Sequence, residues 1–317
     1  MHIAKKFNVN NLQKSDTILV MIDKFKSTSF LAILACLFWS TAFVSIKIGL
    51  QYAKPFSFAG MRFMLSGLIL LPFWWKHRPG LSDLICSVRT IILVALIQTF
   101  FLYFFFYWGI MYVSGAVTAI LIGSQPLITA VVTHFTMRDE RLNLQKTLIL
   151  MLGFAGIIII SLANNSILID GAAYSSGIIL LLLSCLTSAF GNIAVAKHKV
   201  SINPVCLNSF QLFLGGSFLF LISIPLEGLP KFDYPLIFYP VLFWLALLSS
   251  IAFSIWFVLL RREGVKVSSL NVWKFIIPVN GALLSWLFLP GEHPSLKAVT
   301  GMVLIAISII FYYHLKK

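Results

Sequence analysis

Two cations in this chain sit far from water. Arg62 lies about seven residues inside an apolar run near 56–75, and Lys274 about eight inside another near 267–288, so at 1.5 Å of helical rise per residue each head group starts roughly 10–12 Å from a membrane face. A cation in hydrocarbon costs about 2.5–3.5 kcal/mol on insertion scales, so it faces a cavity or a partner, or its stem snorkels the charge to the interface. None of the 10 Asp and Glu residues falls inside a long apolar run to neutralise them. The group they would attract is therefore an anion, and a carboxylate on a small solute is the expectation. The missing carboxylates also bear on energetics. Intramembrane proton relays use Asp, Glu or His, and only His134, near the end of its run and better placed as an interfacial residue, is available. Movement down the solute's own gradient is one expectation; coupling through Glu140 and Glu292, which close two of the runs, is the other.

Neutral polar residues join the two cations. Gln125 precedes Pro126, and Asn280 follows Pro278, each in the middle of an apolar run. A proline removes one backbone donor and frees a carbonyl one turn earlier, which either kinks the helix for packing or opens it to a ligand. If it opens, Gln125 and Asn280 offer donors and acceptors to a polar solute. Asn192 and Gln211 could do the same, or could bond between helices, where such contacts contribute about 0.6 kcal/mol on average. Trp39 and Trp273 are either packing residues or cavity walls. Glu140 and Glu292 either cap the helix that follows, pair with a base such as Arg141 or Lys297, or gate a cavity mouth. The substrate-binding candidates are thus Lys274, Arg62, Gln125, Asn192, Gln211, Asn280, Trp39 and Trp273, with Glu140 and Glu292 as candidate gates. No His-Glu-x-x-His, Gly-x-Ser-x-Gly, phosphate-cradling loop or dinucleotide fingerprint occurs, so no catalytic residue, metal site or cofactor is expected. Cys36, Cys86, Cys185 and Cys206 show no metal spacing and imply no disulfide.

The elements that position these residues are membrane helices. A chain of 317 residues that is 59% hydrophobic and 11% charged cannot hide its apolar side chains in one soluble core. Runs of roughly 20 apolar residues, enough to span about 30 Å of hydrocarbon, fall near 28–50, 56–75, 90–111, 114–136, 146–163, 174–196, 205–226, 238–260, 267–288 and 296–314. A tight turn at Tyr112–Gly115 separates two of them. The aromatic run Phe100–Trp108 covers every face of a helix, so most of it is expected to meet lipid. Trp74 and Trp75 beside Lys76 read as an interfacial belt, and Gly153 with Gly156 as a close-packing patch. The net charge of +14 is spread over loops, which argues against nucleic acid. Eighteen of the 24 basic residues fall on one side if the amino terminus is cytoplasmic, which places both termini there. Residues 1–27 read as an uncleaved cytoplasmic leader, with a short apolar stretch at Ile18–Ile22.

The runs repeat. Pro126 and Glu140 are matched by Pro278 and Glu292 at a displacement of 152 (278 − 126; 292 − 140). Pro55, Arg62 and Gly67 are matched by Pro204, Gln211 and Gly216 at 149 (204 − 55; 211 − 62; 216 − 67). Five runs per half, an odd number, carry the second half into the membrane upside down. The expected fold is all-α integral membrane, with ten transmembrane helices as two inverted five-helix repeats, at 28–163 and 174–315, joined by a linker at Asn164–Gly171. Such repeats enclose a site near the midplane and give two states, one open to each side.

Leu37-Phe38-Trp39-Ser40-Thr41-Ala42-Phe43-Val44-Ser45-Ile46-Lys47 resembles the opening motif of the drug/metabolite transporter superfamily, EamA type. Phe58-Ala59-Gly60-Met61-Arg62-Phe63 resembles that family's second-span motif. Pro126 with Glu140, Gly153 and Gly156, and then Pro278 with Glu292 and Gly301, resemble its fourth-to-fifth-span signature. Ser40 and Ala42 stand where the family often has glycine and asparagine, and Lys274 falls in a span that is commonly neutral. The resemblance implies ten helices, inverted repeats, a central cavity and export of metabolites or amino acids. The function expected is a secondary transporter, not an enzyme, that exports a small carboxylate-bearing metabolite or amino acid by alternating access. The alternatives are an uncoupled channel and a membrane-embedded enzyme. The implied partners are that small-molecule substrate and the lipid bilayer of a cell (inner) membrane, with monomer and homodimer both open.

Overall fold

The computed structural model describes residues 27–76, 79–113, 118, 121–162, 171–198, 202–230, 233–288 and 295–314, and every element among them is helical. In chain order these are α1 (Thr28–Gly49), α2 (Pro55–Ile69), α3 (Leu71–Lys76), α4 (Leu81–Val94), a π-helical segment (Ala95–Phe101) and α5 (Leu102–Gly109). They continue as α6 (Gln125–Thr136), α7 (Leu144–Leu162), α8 (Gly171–Lys197), α9 (Pro204–Glu227) and α10 (Phe238–Arg261). Last come α11 (Val267–Asn271), a 3-10 segment (Val272–Phe275), α12 (Ile276–Phe288) and α13 (Leu296–His314). Among the described residues, six helices are long and apolar enough to cross a membrane: Thr28–Gly49, Pro55–Phe73, Leu81–Gly109, Ala173–Lys197, Pro204–Glu227 and Phe238–Arg261. The chain is a multi-pass membrane protein.

Local chemistry sets the boundaries. Pro55 and Pro204, the first landmarks of the repeat, each occupy the first turn of a helix, where a missing N–H costs nothing. Asn203 caps α9 through a bond from Val205 N at 2.8 Å, and Gly228, at φ +83° and ψ 170°, ends it in a positive-φ conformation that glycine supplies. Two runs that read as continuous in sequence are broken. α6 starts only at Gln125, after a turn at Ser124, and residues 267–288 form three pieces, with the 3-10 segment three residues ahead of Pro278. Each proline thus stands where the backbone has already left the regular α ladder, which its missing donor favours. The helix through Leu81–Gly109 begins earlier than the run at 90–111 because its first turns, with Asp83, are polar.

The most extensive contacts join α2 to α9 and α7 to α13, followed by α1 with α10, α5 with α8, α2 with α10, α6 with α8, α9 with the π-helical segment, and α1 with α12. Glycines allow the closest approaches. A Cβ on Gly216 of α9 would stand 2.5 Å from Met64 N of α2, and one on Gly156 of α7 would stand 2.6 Å from Gly301 O of α13. Gly153 meets Phe275 and Ser308, so the small-residue patch serves packing within the chain. The aromatic run at 100–108 corrects the lipid-facing expectation: only Phe101 and Trp108 are exposed, because α5 is packed against α8 and α2. Phe104 stacks on Phe56 at 5.1 Å instead.

The leader at 1–27, all but Ser27, lies outside the described residues, as do Glu292, the linker up to Gly171, and part of the turn proposed at Tyr112–Gly115. So do the side chains of Trp74, Trp75 and Lys76.

Candidate functional site

A cavity of about 110 Å³ opens among the helices, lined by Trp39, Ala42, Ile46, Arg62, Gln98, Leu102, Tyr103, Phe106, Ile122, Gln125, Ser184, Ser188, Phe253, Lys274 and Ile277. Both cations singled out in the sequence are on that wall. Among the described residues no carboxylate lines it.

Arg62, in the middle of α2, is 1% exposed. Its Nε and Nη2 both donate to Ser249 Oγ of α10, at 3.1 and 2.8 Å. The guanidinium lies 4.7 Å from the Phe63 ring centre and 5.8 Å from that of Tyr103. Nη1 makes no well-aligned hydrogen bond, although the buried Tyr107 hydroxyl lies beside the guanidinium. A neutral hydroxyl therefore holds one edge of the group, and the charge stays uncompensated.

Lys274 sits in the 3-10 segment and is 8% exposed. Its Nζ donates to Gln125 Oε1 at 2.9 Å and lies 5.1 Å from the Trp256 ring and 5.6 Å from the Trp39 ring. The indole faces attract the ammonium through their quadrupoles. Trp39 packs edge-on against Trp256 at 5.0 Å and Phe253 at 5.3 Å, and its Nε1 is buried without an acceptor. Neither cation carries its charge out to an interface. The bends before Pro126 and Pro278 matter here, because they bring Gln125, at the start of α6, against Lys274, just ahead of α12.

Behind this wall Asn192 of α8, fully buried, acts as a hub. Its Oδ1 accepts from Gln98 Nε2 and Trp256 Nε1, both at 3.3 Å, and its Nδ2 donates to Asn271 Oδ1 at 3.1 Å. Asn271 donates in turn to Val267 O at 2.9 Å. At the same helix start Glu140, 5% exposed, accepts from Val267 N at 2.6 Å and Ser268 N at 2.7 Å. Glu140 thus caps α11, far along the chain, and not α7, which follows it. A chain of hydrogen bonds runs from the cavity wall at Gln98 through Asn192 and Asn271 to the helix that Glu140 caps.

The other candidates lie elsewhere. Gln211 is buried between α9 and the π-helical segment, where it accepts from Thr99 Oγ1 and donates to Asn208 Oδ1 at 2.8 Å. Asn280 donates to Ser40 Oγ and ties α12 to α1. Trp273 is half-buried at the junction of the two apolar cores and does not line the cavity. His134 accepts from Leu142 N at 3.0 Å, a turn-closing bond. None of the four cysteines is in a disulfide. Sequence reasoning missed Gln98, Asn271, Ser249 and Glu227. Gln98 had a signal, an amide deep in an apolar run. Glu227 performs at the opposite end of the bundle what Glu140 does at its own: it accepts from Phe56 N at 2.7 Å and Ser57 N at 2.9 Å at the start of α2.

Comparison with known proteins bears on this geometry. The family model described as the EamA-like transporter family matches residues 26–162 and again residues 175–313. The chain is 23% identical over 274 residues to the uncharacterized transporter YoaV of Bacillus subtilis, covering 86% of this chain and 92% of that one. It is 28% identical over 288 residues to a chloroplastic WAT1-related protein of Arabidopsis thaliana, covering 86% of this chain and 66% of that one. An uncharacterized transporter of Archaeoglobus fulgidus is 25% identical over 289 residues, with 88% and 95% covered. A crystal structure superposes with a TM-score of 0.76 at 19% identity over 92% of this chain and 98% of that one, which marks a shared fold.

Proposed function

Since the chain belongs to the EamA-like transporter family, and so is a membrane transporter and not an enzyme, we propose that it carries a small carboxylate-bearing solute, a metabolite or amino acid, through the cavity between its halves by alternating access. The observation that carries this reading is the pair of cations, Arg62 from the first half and Lys274 from the second, on one cavity wall with no acid among the described residues there. A buried charge without a partner is costly to keep, and an anionic solute that arrives and leaves supplies the partner for part of each cycle. Gln125 fixes the ammonium, Trp39 shields it, and Asn192 steers the wall from behind. Gln211, Asn280 and Trp273 hold the surrounding helices in register. Glu140 and Glu292 are proposed as gates at opposite mouths.

The reading includes ten spans in two inverted repeats, at 28–163 and 174–315. Its support is a symmetry of contacts. Exchanging the halves turns the pairing of α1 with α10 into that of α8 with α5, and the pairing of α1 with α12 into that of α8 with α6, while α2 with α9 and α7 with α13 map onto themselves. Repeat-equivalent positions also meet at the cavity: Trp39 with Ser188 (188 − 39 = 149), Ile122 with Lys274 and Gln125 with Ile277 (274 − 122 and 277 − 125, both 152). A pseudo-two-fold axis through the cavity is the arrangement expected of inverted-repeat carriers. We place both termini in the cytoplasm of a cell (inner) membrane, as the loop charges favour, with net flow outwards, the direction that the resemblance to EamA-type permeases implies.

The test is counterflow with purified protein in liposomes preloaded with unlabelled carboxylates. Saturable uptake of labelled solute against its own gradient supports a carrier. Flux that rises linearly with concentration and ignores the preload identifies a channel.

A further inference from the structure

We propose that the solute is anionic throughout, an organic acid with no ammonium group, and not an amino acid. The inference rests on the carrier reading above and narrows its substrate class. It follows from the polar atoms that the cavity offers. Donors are in surplus: Arg62 Nη1 and Trp39 Nε1 are buried without well-aligned acceptors, and Lys274 directs one of its three ammonium hydrogens to Gln125. Guanidinium, indole and ammonium groups can only donate. Amide acceptors are fewer. Gln125 Oε1 receives Lys274, and Gln98 Oε1, buried without a donor, is turned against the Gly191 backbone, where a Cβ on that glycine would stand 1.8 Å away. The hydroxyls of Ser184 and Ser188 remain on the wall, and they are neutral.

A carboxylate in this space meets charge-assisted donors from both halves of the chain. An ammonium on the same molecule meets two like charges and, among the described residues, no anion. Aromatic faces could hold a cation in place of an anion, but Trp39 and Trp256 already face Lys274 and Tyr103 faces Arg62, which leaves the rings of Phe106 and Phe253 on the wall. A second acidic group on the solute, by contrast, has a cation of its own to meet.

Matched pairs that differ only by the amino group test this: succinate with aspartate, glutarate with glutamate, propionate with alanine. Binding to the purified full chain is read from protection against thermal unfolding at graded concentrations, and transport from counterflow in liposomes. The acid without the amine is expected to bind at least tenfold more tightly within the dicarboxylate pairs. Gln125→Glu, nearly isosteric, gives Lys274 a carboxylate of its own and offers an ammonium an acceptor, and is expected to bring that ratio towards one. The proposal is overturned if no acid outranks its amino partner, or if Gln125→Glu leaves the ratio unchanged. Amino acids that bind more tightly and show saturable counterflow would remove this inference and leave the carrier standing. Linear flux for every compound would remove the carrier reading whatever the order of affinities.

Discussion

At Lys274 several moderate interactions stand in for the counter-ion that a buried ammonium ordinarily needs. One hydrogen bond from a charged donor contributes about 1.5–3 kcal/mol, and each indole face about 0.5–2 kcal/mol, against a cost of roughly 2.5–3.5 kcal/mol for a cation in hydrocarbon. At the low end of these ranges the two sides balance. Lys274→Met is therefore expected to leave the thermal unfolding temperature of the empty protein unchanged or a few degrees higher, while solute counterflow falls at least tenfold. A lysine needed for folding would show a clear drop in the first measurement. Asn192→Leu is expected to behave in the opposite way. It strands Trp256 Nε1, Gln98 Nε2 and Asn271 Oδ1, each at about 1–3 kcal/mol if left unpaired in a buried site, so unfolding temperature and transport should fall together. Lys274, Arg62 and Gln125 were legible in the sequence because a charge or amide in an apolar run is conspicuous on its own. Asn192 as a hub was not, since its partners come from the π-helical segment, α10 and α11, and only the packed bundle brings them together. Gln98 was missed although its residue type was visible, because its facing is set by a local widening of the helix that leaves no mark in hydropathy.

Two carboxylates at opposite ends of the bundle fasten helices by their N-termini. Glu140 reaches α11 and Glu227 reaches α2, each accepting two backbone N–H groups, and Lys54 beside α2 donates back to Glu227 O. A helix start has unsatisfied donors and a partial positive charge, so a carboxylate there is favoured on both counts. Glu227→Ala should lower stability by about 0.5–2 kcal/mol, the usual range for a lost cap, in denaturation of the detergent-solubilised protein. Where the same substitution at Glu140 also alters counterflow rates, the α11 clamp takes part in gating; where it lowers only stability, the clamp is structural. The sequence drew attention to Glu140 through its place in the repeat but suggested the following helix or Arg141 as its partner, since proximity along the chain is all that a sequence offers. Glu227 has no such mark. Close packing was easier to anticipate: Gly60, Gly67 and Gly216 sit at repeat-matched or motif positions, and they form the contact of α2 with α9. Gly216→Val places a branched side chain against the Met64 backbone, and overpacking of this kind costs about 1–3 kcal/mol. The expected readout is loss of folded protein at a temperature that wild type withstands.

For the whole molecule, most of the spans could be read from hydropathy and the repeat from its prolines and glycines, because lipid imposes a length and a composition that loops do not share. What hydropathy could not supply was the interruption of spans at Leu70, Ser124 and the 3-10 segment, or the inward facing of the 100–108 aromatics. Those follow from helix against helix. The proposed alternating access makes a specific demand, that a residue on the cavity wall be reachable from either membrane face in turn. Ser188, the repeat counterpart of Trp39, lines that wall, so the direct measurement is labelling of Ser188→Cys by a membrane-impermeant thiol reagent added to one side or the other. The background is a functional variant with Cys36, Cys86, Cys185 and Cys206 replaced. The account predicts modification from both sides, at rates that shift in opposite directions when a transported anion is added to one face. Modification from a single side under every condition, indifferent to the anion, would contradict it.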